Sequence, residues 1–175
     1  MKKLITLISI AISAVIFNSC GSVKETTPTY KFFAKVNGTE WKTNEVLPST
    51  IPTSAVYINY LNYYSNTINI EIRNPNTGEI LDMFIYNVTP SNGVGTYNSS
   101  DAKFSGNYYL NNSDANYDKS QSGSFKITSL TVNASTGNIS NFSGTFNFSQ
   151  TSTHTWDKVT RTTNITEGQI NNISE

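Results

Sequence analysis

Residues that ordinarily build catalytic or metal sites are scarce in this chain. Among 175 residues there are one histidine and one cysteine, so a site made of several His or Cys ligands cannot form within one chain. Charged residues make up 14%, with 12 basic residues against 12 acidic ones. This balance excludes the basic surface of a nucleic-acid-binding protein. A disordered chain is also excluded, because such chains have few aromatic residues, and 12% of this chain is aromatic.

Small polar residues are what the chain has instead. Asn, Ser and Thr occur 23, 22 and 23 times, and together they make up 68 of the 175 positions. Leu, Ala and Glu are scarce, which argues against a helical bundle because these residues favour helices. The length suits a single domain that can bury a substantial core.

The N-terminus has the pattern of a signal peptide. Met1–Lys3 carries two lysines, and Leu4–Phe17 is an apolar run of fourteen residues. A membrane-spanning helix needs roughly 20 apolar residues, so this run is too short to cross a bilayer comfortably. We therefore predict a signal peptide over residues 1–19 that is removed from the mature protein.

The only cysteine, Cys20, follows a small residue at the end of this segment. The arrangement resembles a bacterial lipobox, although Phe17 and Asn18 stand where a small aliphatic pair is usual. The resemblance implies that Cys20 is acylated, with palmitate or a similar fatty acid, and that the protein is a lipoprotein held on the lipid bilayer. Two or more such chains anchor stably, since each buried methylene contributes about 0.8 kcal/mol. The ordinary alternative for Cys20 is an unmodified thiol.

Residues 20–29 then form a lipidated tether ahead of a domain over residues 30–175. From Gly21 to Thr29 the polar tether spans at most about 30 Å when extended. No aspartate follows Cys20, which favours the outer membrane and leaves both the periplasmic and the surface face open. Because the mature domain has no cysteine, it is not a disulfide scaffold and depends on its core.

The mature chain opens with a strong hairpin signal. Asn37-Gly38 separates two strand-like runs, and both central residues of a type I′ turn need a positive φ, which Asn and Gly tolerate. This turn predicts a register in which Val36 faces Thr39, Lys35 faces Glu40, and Ala34 faces Trp41. The register places opposite charges across from each other on one face and packs Trp41 over the small Ala34 on the other.

Period-2 alternation continues along the rest of the chain. In Thr67–Arg73, three isoleucines alternate with polar residues, which indicates a strand with one buried face. Asn111–Ser122 has the composition of a polar loop. Gly93–Tyr97 has the pattern of a bend or bulge that leads into a short strand. The remaining predicted strands are Val56–Leu61, Ile80–Val88, Phe104–Leu110, Phe125–Val132, Phe142–Phe148, Trp156–Asn164 and Gln169–Ile173. The pattern predicts an all-β fold, either a single antiparallel sandwich or a flattened calycin-like barrel of about 9–10 strands.

Motifs near both ends of the domain resemble a protein family. The stretch Phe33–Trp41 directly after a lipoprotein tether is similar to the opening F-x-A-x-V-N-G-x-x-W hairpin of an uncharacterised Bacteroidetes lipoprotein family. Gly144–Phe148 matches its G-T-F-x-F strand, and Thr166–Ile170 matches its T-x-G-x-F/I end. The family has no known activity, so the resemblance implies no catalytic residue.

Three polar groups are weak candidates for chemistry. His154 lies in a polar stretch without the neighbours of a catalytic triad. Glu71 and Asp82 approach each other if their two strands form a hairpin, as a glycosidase acid pair requires, but a solvated surface pair is the ordinary alternative. Asp114, Asn116 and Asp118 alternate like calcium ligands; Lys119 and Phe125 stand where a calcium loop has Gly and Glu. We expect no catalytic residue, no cofactor and a structural role for the loop.

Tyrosines are the most suggestive feature. Tyr side chains combine apolar area with a polar tip, which suits sugar or protein binding, while packing in the core is the ordinary alternative. The candidate binding aromatics are Tyr57, Tyr60, Tyr63, Tyr64, Tyr108 and Tyr109. We therefore expect a non-enzymatic binding or accessory module for a glycan, a small apolar ligand or an envelope partner. A carboxylate-dependent glycan hydrolase and a purely structural envelope protein are the alternatives.

Lipidation of Cys20 has a direct test. In cells grown with a radiolabelled fatty acid, we expect the wild-type protein to be labelled and Cys20→Ala to lose the label, because the thiol is the acyl acceptor. Ser22→Ala is the matched control and should keep the label. Equal labelling of wild type and Cys20→Ala would contradict the prediction.

Overall fold

The described part of the chain is almost entirely β-sheet. A computed structural model describes residues 30–43, 55–61, 66–74, 77–89, 91, 93–110, 116–133, 135–154 and 157–174, with the backbone alone at 55–61, 116–120 and 154. Its strands are β1 (Phe32–Val36), β2 (Thr39–Thr43), β3 (Ala55–Leu61), β4 (Thr67–Arg73), β5 (Ile80–Ile85), β6 (Gly95–Asn98), β7 (Phe104–Tyr109), β8 (Asn116–Val132), β9 (Ile139–His154) and β10 (Thr160–Ile173). Among the described residues, no helix is long and apolar enough to cross a membrane.

Two antiparallel sheets pack as a sandwich. The larger sheet has the order β2-β1-β10-β9-β8-β6, and the smaller has the order β3-β4-β5-β7. The prediction of an all-β fold is confirmed, and of its two alternatives the sandwich is the one observed. The apolar residues of each sheet alternate inward, as in Ile68, Ile70 and Ile72 of β4, which are fully buried.

The N-terminal hairpin forms in the predicted register. Val36 pairs with Thr39, Lys35 with Glu40, and Ala34 with Trp41, and the turn residues have the positive φ values of a type I′ turn. The opposite charges of Lys35 and Glu40 therefore lie across from each other as predicted, and Lys35 also has a partner on its other side. The Lys35 ammonium donates to Glu167 Oε1 at 2.8 Å, on β10 across the hairpin's other edge, because β1 is an interior strand with neighbours on both sides.

Two other predictions on strand boundaries are wrong. The predicted loop Asn111–Ser122 ends early, because strand β8 begins at Asn116. The first residues of β8 pair with the last residues of β9. The two predicted C-terminal strands are one strand, β10, in which a bulge near Glu167 (φ 55°) shifts the register. In both cases polar residues that are typical of loops are held in a sheet by hydrogen bonds to a long neighbouring strand.

Phenylalanine rings packed on glycine backbone form the centre of the core. An added Cβ on Gly144 would lie 2.3 Å from the Phe125 ring, one on Gly168 2.5 Å from the Phe146 ring, and one on Gly106 2.7 Å from the Phe148 ring. The rings themselves are stacked or tilted against each other, with Phe125 and Phe146 at 5.6 Å between centroids. Each glycine therefore provides the space that a neighbouring ring fills.

Two glutamine side chains join the sheets along one edge. The backbone N–H of Gly106 donates to Gln121 Oε1 at 2.9 Å, and that of Tyr108 donates to Gln150 Oε1 at 2.6 Å. Both donors lie on β7, at an edge of the smaller sheet. The glutamines of β8 and β9, which face each other in register, therefore satisfy backbone groups that an edge strand would otherwise leave without a strand partner.

The glycine packing predicts a large effect of a small substitution. Gly144→Ala places a methyl group into the Phe125 ring and toward the Lys126 carbonyl, so we expect the free energy of unfolding to fall by about 1–3 kcal/mol. Gly95→Ala is the matched control, because nothing lies within 4 Å of its Cβ position. We expect that change to stay within about 0.5 kcal/mol. Urea denaturation measures both, and similar losses for the two variants would contradict the account.

The glutamine contacts predict a second effect on stability. Gln150→Leu leaves the buried Tyr108 N–H without its acceptor, so we expect a loss of about 1–3 kcal/mol in the free energy of unfolding. Gln169→Leu is the control, since Gln169 is exposed on the outer face of the same sheet. If both glutamines tolerate leucine equally in thermal and urea unfolding, the contact with β7 contributes little.

Candidate functional site

The outer face of the smaller sheet carries the candidate site. Strand register sets its side chains in rows that cross β4, β5 and β7. One row contains Glu71, Asp82 and Asn107, which we call the polar row. On one side of it lies the row of Asn69, Phe84 and Ser105, and on the other the row of Arg73, Ile80 and Tyr109. Alternation along each strand places these residues on the face opposite to the core, and all of them are half-buried except Ile80, which is buried.

Three aromatic side chains on this face are partly exposed. Phe84 lies on β5, Tyr86 directly follows that strand, and Tyr109 ends β7. The rings of Phe84 and Tyr86 are nearly parallel, with 6.2 Å between centroids and 10° between planes. They form a shared apolar surface with one hydroxyl at its end, and Tyr109 lies beyond the polar row.

The polar row contains two carboxylates directly opposite each other. Like charges at opposed positions of a sheet repel, and each carboxylate here is bound by a neighbour on β4. The Arg73 guanidinium donates to Glu71 Oε1 at 2.6 Å, and the Asn69 amide donates to Asp82 Oδ1 at 2.7 Å. All four residues are half-buried. These contacts hold the carboxylates in place at the surface.

The Tyr86 hydroxyl is a hydrogen-bond donor at neutral pH. Burial raises its pKa above the ordinary value, and the charge of Asp82 acts in the same direction, while a hydrogen bond with Ser105 opposes both. The phenol therefore stays protonated at pH 7. Beside it, the carboxylates accept hydrogen bonds, so the face presents both donors and acceptors next to aromatic rings.

The outer face of the larger sheet is different in its central strands. There β8, β9 and β10 present mostly Ser, Thr and Asn, and hydroxyls pair across strands, as in Thr151 with Thr162 at 2.9 Å. Its aromatic pair, Tyr30 and Phe33, lies at the edge hairpin, where the Lys42 ammonium stands 5.1 Å from the Tyr30 ring centroid. This pair lies beside Gln169 and the Lys42–Glu40 ion pair, whereas the rings of the smaller sheet flank a row of two opposed carboxylates.

The predicted binding tyrosines do not all lie on the same side of the smaller sheet. Tyr109 lies on the outer face, whereas Tyr108 is buried in the core, and its hydroxyl donates to a Glu79 carboxylate oxygen. That placement excludes Tyr108 from a surface site. Tyr57 is paired in register with Glu71 and Tyr60 with Ile68, and both are described by backbone alone. Tyr63 and Tyr64 lie outside the described residues.

The structure describes only some residues of the other predicted sites. Cys20 and Asp114 lie outside the described residues. Asn116 and Asp118 belong to strand β8 rather than to a calcium loop, and His154 ends strand β9 rather than lying in a loop. Within the described ranges, no three His, Cys, Asp or Glu side chains come together as metal ligands.

Sequence reasoning missed most of the outer face. Phe84, Tyr86, Asn69 and Asn107 were not among the candidate binding residues. The signal is present in Ile80–Val88, which has apolar residues on both faces. The strand β5 lies between β4 and β7, and the outward residues of such a central strand form the middle of an exposed face.

Comparisons with known proteins do not assign a role to this face. Searches against protein-family models, curated proteins and solved structures found no match to this chain. The role of the outer face must therefore be inferred from its chemistry alone.

Proposed function

We propose that the protein is an outer-membrane-anchored lipoprotein whose β domain binds a glycan without acting as an enzyme. The observation that carries the proposal is the outer face of the smaller sheet. There, partly exposed aromatic rings flank a row of carboxylates and amides on a regular sheet. A rigid sheet holds such groups at fixed spacing, so little ordering is required when a ligand binds.

A saccharide fits this chemistry better than an apolar ligand does. Sugar rings have C–H faces that pack on aromatic rings and hydroxyl rims that need several hydrogen-bond partners. Phe84 and Tyr86 offer the apolar surface, and Glu71, Asp82 and Asn107 offer acceptors and donors beside it. An apolar ligand would displace water from the polar row and offer no hydrogen bond in exchange, which is unfavourable.

The location rests on the N-terminal sequence. The short positive segment, the fourteen-residue apolar run and Cys20 support a lipoprotein signal. The resemblance of Phe33–Trp41 to a Bacteroidetes lipoprotein family supports the same origin. A tether of nine residues would keep the domain within about 30 Å of the membrane, where it could retain envelope or environmental glycans.

A glycan hydrolase is the second candidate, because Glu71 and Asp82 are directly opposed. Two arguments favour binding instead. Side chains of neighbouring strands on one sheet face project in the same direction, so both carboxylates would meet the same side of a substrate, whereas glycosidase carboxylates flank the scissile bond. Each carboxylate is also engaged by Arg73 or Asn69.

Removal of the aromatic surface should abolish glycan recognition. On a glycan array, we expect the wild-type protein to bind and Tyr86→Ala and Phe84→Ala each to lose about tenfold or more in affinity, as for buried aromatic contacts at interfaces. Thr145→Ala is the matched control, because Thr145 is exposed on the outer face of the other sheet. An array without any binding by the wild type would contradict the proposed function.

The same proteins and glycans can be used to distinguish hydrolysis from binding. Incubation of the glycan that binds with the wild-type protein should release no reducing ends. Asp82→Asn should then change affinity alone. Release of reducing ends that is lost in Asp82→Asn would favour the hydrolase.

A further inference from the structure

The arrangement of the aromatic rings in rows has a consequence for the size of the ligand. We propose that the outer face binds an extended, uncharged oligosaccharide that lies along β5 and occupies two aromatic subsites at once. One subsite is Tyr109, and the other is the pair Phe84 and Tyr86. This inference rests on the proposed function and specifies the class of glycan that the face accepts.

The distance between the subsites follows from the strand register. Tyr109 pairs with Ile80, and Phe84 lies four residues further along β5. At about 3.4 Å per residue, the two rows are roughly 14 Å apart. Tyr86 extends the second subsite by two more residues. This separation exceeds the size of one sugar ring, so a monosaccharide on either subsite cannot contact the other.

The polar row lies midway between the two subsites. Asp82 is two residues from Ile80 and two from Phe84, and it pairs with Glu71 on one side and Asn107 on the other. A chain that packs its terminal rings on the aromatic subsites would therefore place the hydroxyls of its middle rings over these three side chains. The order of aromatic, polar and aromatic side chains from Tyr109 through Asp82 to Phe84 matches such a ligand.

The charges around the polar row favour a neutral glycan over a polyanionic one. Between the rows of Asn69 and Arg73, the described charges are two carboxylates and one guanidinium, and that guanidinium is already paired with Glu71. This middle part of the face therefore carries one net negative charge, while the exposed Lys103 lies beside Tyr86 at the end of the face. A polyanionic glycan such as a polyuronate would place carboxylates over Glu71 and Asp82 and be repelled there, whereas a neutral glycan meets no such penalty.

Length dependence is the direct test. The full chain is purified in a mild detergent, and calorimetry measures its affinity for xylo-, malto-, cello- and laminari-oligosaccharides, from monosaccharide to hexasaccharide. For the series that binds, we expect affinity to rise about tenfold or more once the chain spans both subsites, because the second contact becomes intramolecular. Oligogalacturonides of equal length should bind more weakly.

Variants of Tyr109 identify the cause of this rise. Tyr109→Ala should remove the increase for long chains, because only the subsite of Phe84 and Tyr86 then remains and long chains bind no more tightly than short ones. Tyr109→Leu, which keeps apolar volume, serves if the alanine variant does not fold, and Thr145→Ala is the control. Circular dichroism and thermal melting verify folding.

The outcomes separate the two proposals. Glycan binding without a length-dependent rise, an equal loss at all lengths in Tyr109→Ala, or stronger binding of oligogalacturonides would overturn this inference and leave the proposed function standing. No binding of any of these oligosaccharides and none on the array would overturn the proposed function, and this inference with it.

Discussion

The packing of phenylalanine rings on glycine backbone is the contact on which the rest of the structure depends. Gly144, Gly168 and Gly106 lie where an added methyl group would overlap the rings of Phe125, Phe146 and Phe148. A ring fits only opposite its glycine, so a shift of two residues between strands would meet a side chain instead of a space. These pairs link β8, β9 and β10 to each other and to β7. This packing fixes how the strands of the larger sheet align and where β7 lies over them, and the ladders from β7 to β5 and β4 then set the rows on the outer face.

The abundance of Asn, Ser and Thr has two structural uses. On the outer face of the larger sheet these residues pair across strands through their hydroxyls, as Thr153 does with Thr160 at 3.0 Å. In turns they hydrogen-bond to the backbone, as Asn133 Oδ1 does by accepting from Ser135 N–H at 2.9 Å. A domain with few charges can remain hydrated in this way. Among the described strands, the outer face of the smaller sheet differs from this surface in its aromatic rings and opposed carboxylates.

The candidate site depends on neighbours that are distant in sequence. Asn69, Asp82 and Asn107 come from three strands, and only the ladders between β4, β5 and β7 bring them together. Arg73 and Asn69 bind the two opposed carboxylates, which reduces the repulsion that this register would otherwise create. The arrangement is therefore compatible with a stable sheet and at the same time keeps carboxylate oxygens near the surface.

Local patterns in the sequence determined the class of fold and the first hairpin. The alternation in Thr67–Arg73 and the turn at Asn37-Gly38 depend on interactions among residues that are close in sequence. The strands and the type I′ register can therefore be predicted from the sequence alone. Strand β8 was missed at Asn116–Ser122 because its polar residues are held by pairing with β9, a partner that lies beyond a turn. The same limit applies to the site. Sequence indicated that tyrosines matter, but Tyr108 and Tyr109 differ by one position, and only the packing of the two sheets decided that the first is core and the second is surface.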